Sequence, residues 1–112
     1  MVQAQSESPV RVVFVTAPDV EAAAALVRSL VTERLAACGN LVPGITSIYR
    51  WEGEVHEDPE VLLILKTSEA QVEALVRRVA ELHPYDVPEV LALPVDQGLP
   101  AYLSWVGSET SG

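Results

Sequence analysis

The chain has 112 residues, 49% of them hydrophobic and 21% charged, which allows a single domain with one modest core. The 16 acidic residues outnumber the 7 basic ones and give a formal net charge of −9. Nucleic acid and anionic membrane surfaces attract clustered cations, so this balance argues against both as partners and favours cations.

Compartment and domain limits follow from the ends of the chain and from its one cysteine. Cys38 cannot form an intramolecular disulfide, no apolar run reaches the roughly 18 residues of a membrane span, and the N-terminus lacks a secretory signal, so we expect a cytoplasmic protein. The polar segments 1–9 and 108–112 are predicted to be disordered tails. No repeat or linker interrupts residues 10–107, which are predicted to form a single domain.

The first half of this domain contains a strand, a helix and a hairpin. Residues 10–16 are β-branched and aromatic and predict a strand, after which Asp19 is typical of the start of a helix that runs to about residue 35. Residues 41–51 alternate as a second strand. A turn at Glu52 and Gly53 leads into a return strand that ends in the apolar residues 61–67.

The second half continues the alternation. Ser68 and Gln71 form a capping box for a second helix, which must end at His83 because Pro84 disfavours helical geometry before it. A short strand over residues 89–95 follows, and Pro100 opens a last helix. This order predicts an α+β, ferredoxin-like β-α-β-β-α-β sandwich with an extra C-terminal helix. One face of its antiparallel sheet would be bare, which predicts an association surface.

Four blocks of sequence carry a family resemblance, namely ERLAACGNLVPGITSIYRWEGEV (residues 33–55), ILKT (64–67), HPYDVPE (83–89) and YLSW (102–105). They occur in the order and spacing of CutA, the divalent-cation tolerance family, and the chain resembles that family over residues 10–107. The resemblance implies a homotrimer similar in architecture to the PII signalling proteins. It also implies a link to tolerance of copper and other divalent metals, since some members bind Cu(II).

Three residues are the candidate metal ligands. His83 is the first candidate because neutral imidazole is a favoured ligand of Cu(II), although a histidine at a helix end also serves to close that helix. Cys38 could supply a thiolate, but packing is the favoured interpretation of this small side chain. Ligands that complete a site with His83 could come from another subunit, from Cys38 or from a carboxylate such as Glu89 or Asp86. Of the positions that hold copper ligands in relatives, the resemblance matches Val15, Leu82 and His83, so only the last keeps a ligating side chain.

The resemblance also implies a cleft between subunits, lined by Tyr49, Arg50, Trp51, Lys66, Tyr85 and Trp105. Lys66 is the only lysine and is expected to pair with a carboxylate. The carboxylates and imidazole of residues 52–60 could chelate a cation weakly, but a solvated hairpin is the simpler interpretation.

No catalytic motif is present in the sequence, so we expect a non-enzymatic protein. The predicted function is binding of divalent cations, copper foremost, by a homotrimer that contributes to metal tolerance. Two alternatives stay open: a PII-like sensor that binds a small molecule in the cleft between subunits, and a structural trimeric scaffold.

Overall fold

A computed structural model describes residues 8–111. The elements are, in chain order, β1 (Val10–Ala17), α1 (Val20–Thr32), β2 (Cys38–Trp51), β3 (Glu54–Ser68), α2 (Glu69–Leu82), β4 (Val90–Pro94) and α3 (Pro100–Glu109). This order confirms the predicted α+β class with its additional C-terminal helix. None of the helices in this part of the chain is long and apolar enough to cross a membrane.

The four strands form one antiparallel sheet in the order β2-β3-β1-β4, the arrangement of a ferredoxin-like sandwich. β2 and β3 are the longest strands and pair from Cys38 with Lys66 to Trp51 with Glu54, interrupted by an irregularity between Val42 and Ile45. The hairpin turns at Glu52 and Gly53, as predicted, and both residues have positive φ (51° and 83°). Two positive φ values are typical of the tight turns that match strand twist.

The core lies between the sheet and the helices α1 and α2. Because side chains alternate along a strand, every second residue of β1 and β3 points to these helices. The largest cluster of buried residues contains Val13, Val15, Leu63 and Leu65 from the strands, all fully buried, together with Ala23, Leu26, Val27, Leu30, Leu75 and Val79 from the helices.

The opposite face of the sheet, here called the outer face, has no helix over most of its area. It exposes apolar side chains of all four strands, and Leu91 (56%) and Leu93 (41%) are the most accessible of them on β4. The third helix, α3, contributes Val106 to a small second cluster with Val10 and Ala37, and Leu103 packs against that cluster.

Several predicted boundaries need correction. β2 begins at Cys38 rather than residue 41, and α1 ends at Thr32 rather than residue 35. The capping box at the start of α2 is not formed, because Ser68 makes no side-chain capping bond. The Ser68 hydroxyl lies 3.0 Å from the Thr110 hydroxyl, and Gln71 Nε2 donates to the Thr110 carbonyl at 2.8 Å.

The segments predicted to be disordered are ordered wherever the structure describes them. Helix α3 continues through Glu109, and Thr110 is 1% exposed. Its hydroxyl donates to the Val106 carbonyl at 2.8 Å, which satisfies a carbonyl at the end of the helix. At the other terminus the Pro9 carbonyl accepts a hydrogen bond from Glu69 N at 2.6 Å, while residues 1–7 of the predicted tail lie outside the described residues. Hydrogen bonds to the rest of the fold position these polar segments. A prediction of order that is based on apolar residues does not detect such bonds.

Candidate functional site

His83 lies at the end of α2 and is 7% exposed. Its Nδ1 accepts a hydrogen bond from the Tyr85 backbone N–H at 3.1 Å, so the ring proton is on Nε2, which donates to the Thr16 carbonyl at 2.7 Å. Both ring nitrogens are therefore engaged within the chain. A metal ion at this imidazole would have to displace one of the two hydrogen bonds.

These two bonds position the segment that follows α2. Through its hydrogen bonds, the His83 ring connects the turn at Pro84 and Tyr85 to the end of β1. The Tyr85 ring also contacts the imidazole, with a centroid separation of 4.8 Å. Tyr85 is thereby held over the outer face of the sheet, opposite the hairpin. His83 acts on the site by orienting this turn.

A cleft of about 650 Å³ opens between this segment and the base of the hairpin. We call it the acidic cleft; it is lined by Thr16 of β1, by Ser47, Ile48, Tyr49 and Trp51 of β2, by Asp58 and Glu60 of β3, and by Tyr85, Asp86, Val87 and Glu89 of the segment after α2. The lining contains four carboxylates and three aromatic rings but no lysine, arginine or histidine. It is an anionic environment.

Two phenol–carboxylate pairs shape the cleft. The Tyr49 hydroxyl donates to Asp58 Oδ2 at 2.5 Å, and the Tyr85 hydroxyl donates to Glu60 Oε2 at 2.7 Å. The hydrogen bond to Asp58 raises the pKa of Tyr49, while burial and then the bond to Glu60 raise the pKa of Tyr85 above its usual value. Both phenols therefore remain neutral donors at physiological pH, and their protons are already committed to carboxylates.

The candidate metal ligands do not meet in one chain. Glu89 lines the acidic cleft, whereas buried His83 lines a smaller pocket beside α1. Cys38 lies at the start of β2 with Sγ 3.5 Å from the Tyr102 hydroxyl, a contact that raises the pKa of Tyr102 to about 12. Within residues 8–111 no three His, Cys, Asp or Glu side chains converge to hold a metal ion. The described part of one chain thus offers no preformed metal site.

Half of the predicted cleft residues lie together. Tyr49, Trp51 and Tyr85 all line the acidic cleft. The other three do not line it: Arg50 alternates to the opposite side of its strand, Lys66 donates to Asn40 Oδ1 rather than to a carboxylate, and Trp105 contacts Tyr102 of α3 with tilted rings whose centroids are 5.6 Å apart.

The sequence analysis missed two buried polar residues of the cleft. Glu60 is 9% exposed and Thr16 is 8% exposed. The alternation of side chains along β3 could have indicated the burial of Glu60. Glu60 precedes Leu62 by two residues and Ile64 by four, so all three lie on the same side of the strand. Interpreting residues 52–60 as one solvated hairpin missed that Glu60 is buried on the outer face, where the Tyr85 hydroxyl donates to it.

Fold and cleft together define a small α+β protein that gathers acidic and aromatic side chains on the outer face of an antiparallel sheet. Comparison with known proteins gives the family. Residues 11–109 match the profile of the family described as CutA1 divalent ion tolerance protein. The chain belongs to the CutA family.

Individual relatives agree with this assignment. The "Divalent-cation tolerance protein CutA" of Thermus thermophilus is 52% identical over 99 residues, which are 88% of this chain and 96% of that protein. "Protein CutA" of Mus musculus is 53% identical over 97 residues, but these are only 55% of the mouse protein. The crystal structure of CutA from Xylella fastidiosa superposes with a TM-score of 0.91 at 43% identity and covers 93% of this chain and 100% of that one.

Proposed function

We propose that the protein is a non-catalytic homotrimer that binds divalent cations, copper foremost, and serves metal tolerance in the cytoplasm. Membership of the CutA family supports the general role in divalent-cation tolerance. The observation that carries the proposal for this chain is the acidic cleft, with four carboxylates and no basic side chain in its lining. Its electrostatic potential attracts cations and repels anions.

Copper is the proposed cation because of the donor types available. Glu89, His83 and Cys38 would supply oxygen, nitrogen and sulfur ligands, and Cu²⁺ has the highest affinity of the divalent first-row metals for a given site of this kind. Since no three such side chains converge within residues 8–111, the metal site would be completed by ligands from another subunit. Glu89 is exposed and free to take part without a change in the fold.

Copper binding is testable by calorimetric titration of the metal-stripped protein. We expect saturable binding of Cu(II), weaker binding of Ni(II), and a loss of affinity of at least about tenfold in Glu89→Gln. Glu73→Gln removes an exposed carboxylate of α2 outside the cleft and should bind as the parent does. His83→Ala and Cys38→Ala test the other two ligands. Absence of saturable Cu(II) binding by the parent protein would contradict the proposal.

The trimer is supported by the uncovered outer face. Phe14 of β1 lies there between Ile64 of β3 and exposed Leu91 of β4, and a contiguous apolar surface of this kind is typical of an interface. Light scattering in dilute solution should return three times the chain mass of 12.1 kDa. Ile64→Glu should dissociate the assembly, because three copies of a charge would be buried without partners, whereas Glu73→Gln should leave the mass unchanged. A parent mass of one chain would exclude the trimer.

A further inference from the structure

We propose that Arg50 of each subunit enters the acidic cleft of the next subunit and binds Glu60 there. The inference rests on the homotrimer proposed above and names one contact that would hold it together, with a second copy of this chain as the partner. Three features support it: buried acceptors in the cleft, an arginine of the strands that has no partner in its own chain, and a hairpin that projects far enough to bring the two together.

The cleft contains two polar groups that need a donor once another subunit covers the outer face. Glu60 is already 9% exposed in one chain, and its Oε2 accepts from the Tyr85 hydroxyl, while Oε1 receives no donor from residues 8–111. The Thr16 hydroxyl, in a residue 8% exposed, likewise has no partner within that range. A buried carboxylate is tolerated in an interface when it is paired and hydrogen-bonded, so the covering subunit has to supply a cationic donor.

Arg50 is the cation that the strands have available. Of the three basic residues on strands, Arg11 pairs with Glu69 at 3.3 Å and Lys66 donates to Asn40 Oδ1. Arg50 is exposed and pairs with no carboxylate of residues 8–111. The remaining arginines belong to α1, to α2 or to the segment between α1 and β2, away from the outer face.

The hairpin carries Arg50 away from the body of its own chain. β1 pairs with β3 only over residues 61–68, so within the described sheet residues 45–60 of the hairpin pair only with one another. The described chain measures 51 Å along its long axis and 27 and 23 Å across it. Arg50 lies next to the last residue of β2, near the tip of this projection. Its side chain points away from its own cleft and can reach a subunit that packs on the outer face.

The two surfaces complement each other in charge and in polarity. A guanidinium group donates several N–H bonds in one plane and can serve Glu60 Oε1 and the Thr16 hydroxyl together. Val55 pairs with Arg50 across the hairpin and is 65% exposed, and Val87 at the rim of the cleft is 71% exposed, so the same contact would bury apolar surface beside the ion pair.

The contact is of the kind that closes a ring of three. Each subunit gives the Arg50 side of its hairpin and receives its neighbour in the cleft, so the two surfaces of the interface differ. Such heterologous contacts form closed rings when the rotation between neighbours closes, which is a third of a turn for a trimer. Asp86 and Glu89, at the exposed side of the cleft, stay free for divalent cations.

The first arm of the test removes the arginine from the full-length protein. Light scattering over a dilution series, at the urea concentration that half dissociates the parent trimer, gives the protein concentration at the dissociation midpoint. Arg50→Met keeps much of the side-chain length and leaves Glu60 of the next subunit buried without a cation, so it should raise this concentration at least about tenfold. Arg77→Met makes the same change at an exposed arginine of α2 and should leave the midpoint unchanged. An Arg50→Met trimer as tight as the parent would overturn the proposal.

The second arm tests whether Arg50 and Glu60 act on each other. Glu60→Gln keeps an acceptor for the Tyr85 hydroxyl. In the parent it removes the charge that Arg50 binds and should weaken the trimer, whereas in Arg50→Met it removes an unpaired buried charge and should strengthen it. Because Arg50 does not contact Glu60 of its own chain, the effect of Glu60→Gln within one chain is the same in both backgrounds and cancels.

The outcome separates this contact from the trimer itself. We expect the combined Arg50→Met and Glu60→Gln variant to deviate from additivity at least about tenfold, and Arg50→Met with Glu73→Gln, which alters an exposed carboxylate of α2, to be additive. A parent trimer in which Arg50→Met and Glu60→Gln act additively would refute the contact and leave the trimer standing. A parent that scatters as one chain at every concentration would refute both.

Discussion

Gly39→Ala is expected to lower the free energy of unfolding by about 1–3 kcal/mol, as overpacking of a filled core does. Gly39 lies in β2 on the side that faces α1, where it pairs with Leu65 of β3. A Cβ atom at this position would lie 2.7 Å from Leu65 Cδ2 and 2.9 Å from Val27 Cγ1. Val27 is β-branched and stiff about χ1, and Leu65 is fully buried, so neither side chain can withdraw without disturbing its neighbours.

The matched control is Gly107→Ala in α3, the same chemical change in open space. Apart from its two chain neighbours and the backbone of its own helix, no atom of residues 8–111 lies within 4 Å of the Cβ position at Gly107. Since glycine inside a helix is less favourable than alanine, this variant should raise the free energy of unfolding by about 0.5–1 kcal/mol. Urea denaturation of both variants measures the contrast. If the two substitutions shift stability in the same direction, close packing of α1 on β2 at Gly39 is not what excludes a side chain there.

The order of the elements could be predicted from the sequence because each signal is local. Apolar alternation identified the strands, Pro84 set the end of α2, and Pro100 opened α3. The boundaries of β2 and α1 were less accurate, since Cys38, Gly39 and Asn40 have weak strand propensity and are held in the sheet by pairing with β3. Tertiary pairing overrode local preference at that point.

The acidic cleft was predictable only in part. The family resemblance placed Tyr49, Trp51 and Tyr85 in a cleft between subunits, and in the structure these three residues line a cleft of one chain. The contact between Tyr85 and Glu60 joins residues 25 positions apart and depends on where His83 fastens the turn after α2. No periodicity within a strand or helix encodes that distance, so the buried carboxylate could not be assigned to the site.

The C-terminal segment shows a second limit of prediction from the sequence, since more of it is ordered than its composition predicts. Composition predicted that residues 108–112 are disordered because they contain no apolar side chain. In the structure, residues 108, 110 and 111 make hydrogen bonds to the rest of the chain, and Arg34, which has a positive φ of 63°, directs its guanidinium to the carbonyls of Ser108 (2.9 Å) and Ser111 (3.2 Å). Polar residues that order through specific partners carry no hydrophobic signal.

Deletion of residues 108–112 is therefore expected to destabilise the fold by about 2–4 kcal/mol, whereas removal of a disordered tail would change nothing. The deletion leaves Gln71 Nε2 and the Ser68 hydroxyl without their partner Thr110 and takes away the buried Thr110 side chain itself. It also removes both acceptors of Arg34. Several bonds worth about 0.5–1.5 kcal/mol each account for the expected total, the exposed ones contributing least.

Two smaller changes separate the contributions to this loss of stability. Deletion of residues 111–112 removes the Ser111 carbonyl from Arg34 and the exposed bond from the Ser111 hydroxyl to the Ser108 carbonyl, and it should cost less than about 0.5 kcal/mol. Thr110→Val keeps the shape and removes the hydroxyl that bonds Val106 and Ser68, and it should cost about 1 kcal/mol. Chemical denaturation of the three variants at one protein concentration gives the comparison. If the long deletion is as stable as the parent, the hydrogen bonds of Thr110 do not contribute to folding, and the prediction of a disordered tail from composition is correct. If the loss of stability is largest for the long deletion, smaller for Thr110→Val and smallest for the short deletion, Thr110 stabilises α3 and the start of α2 together.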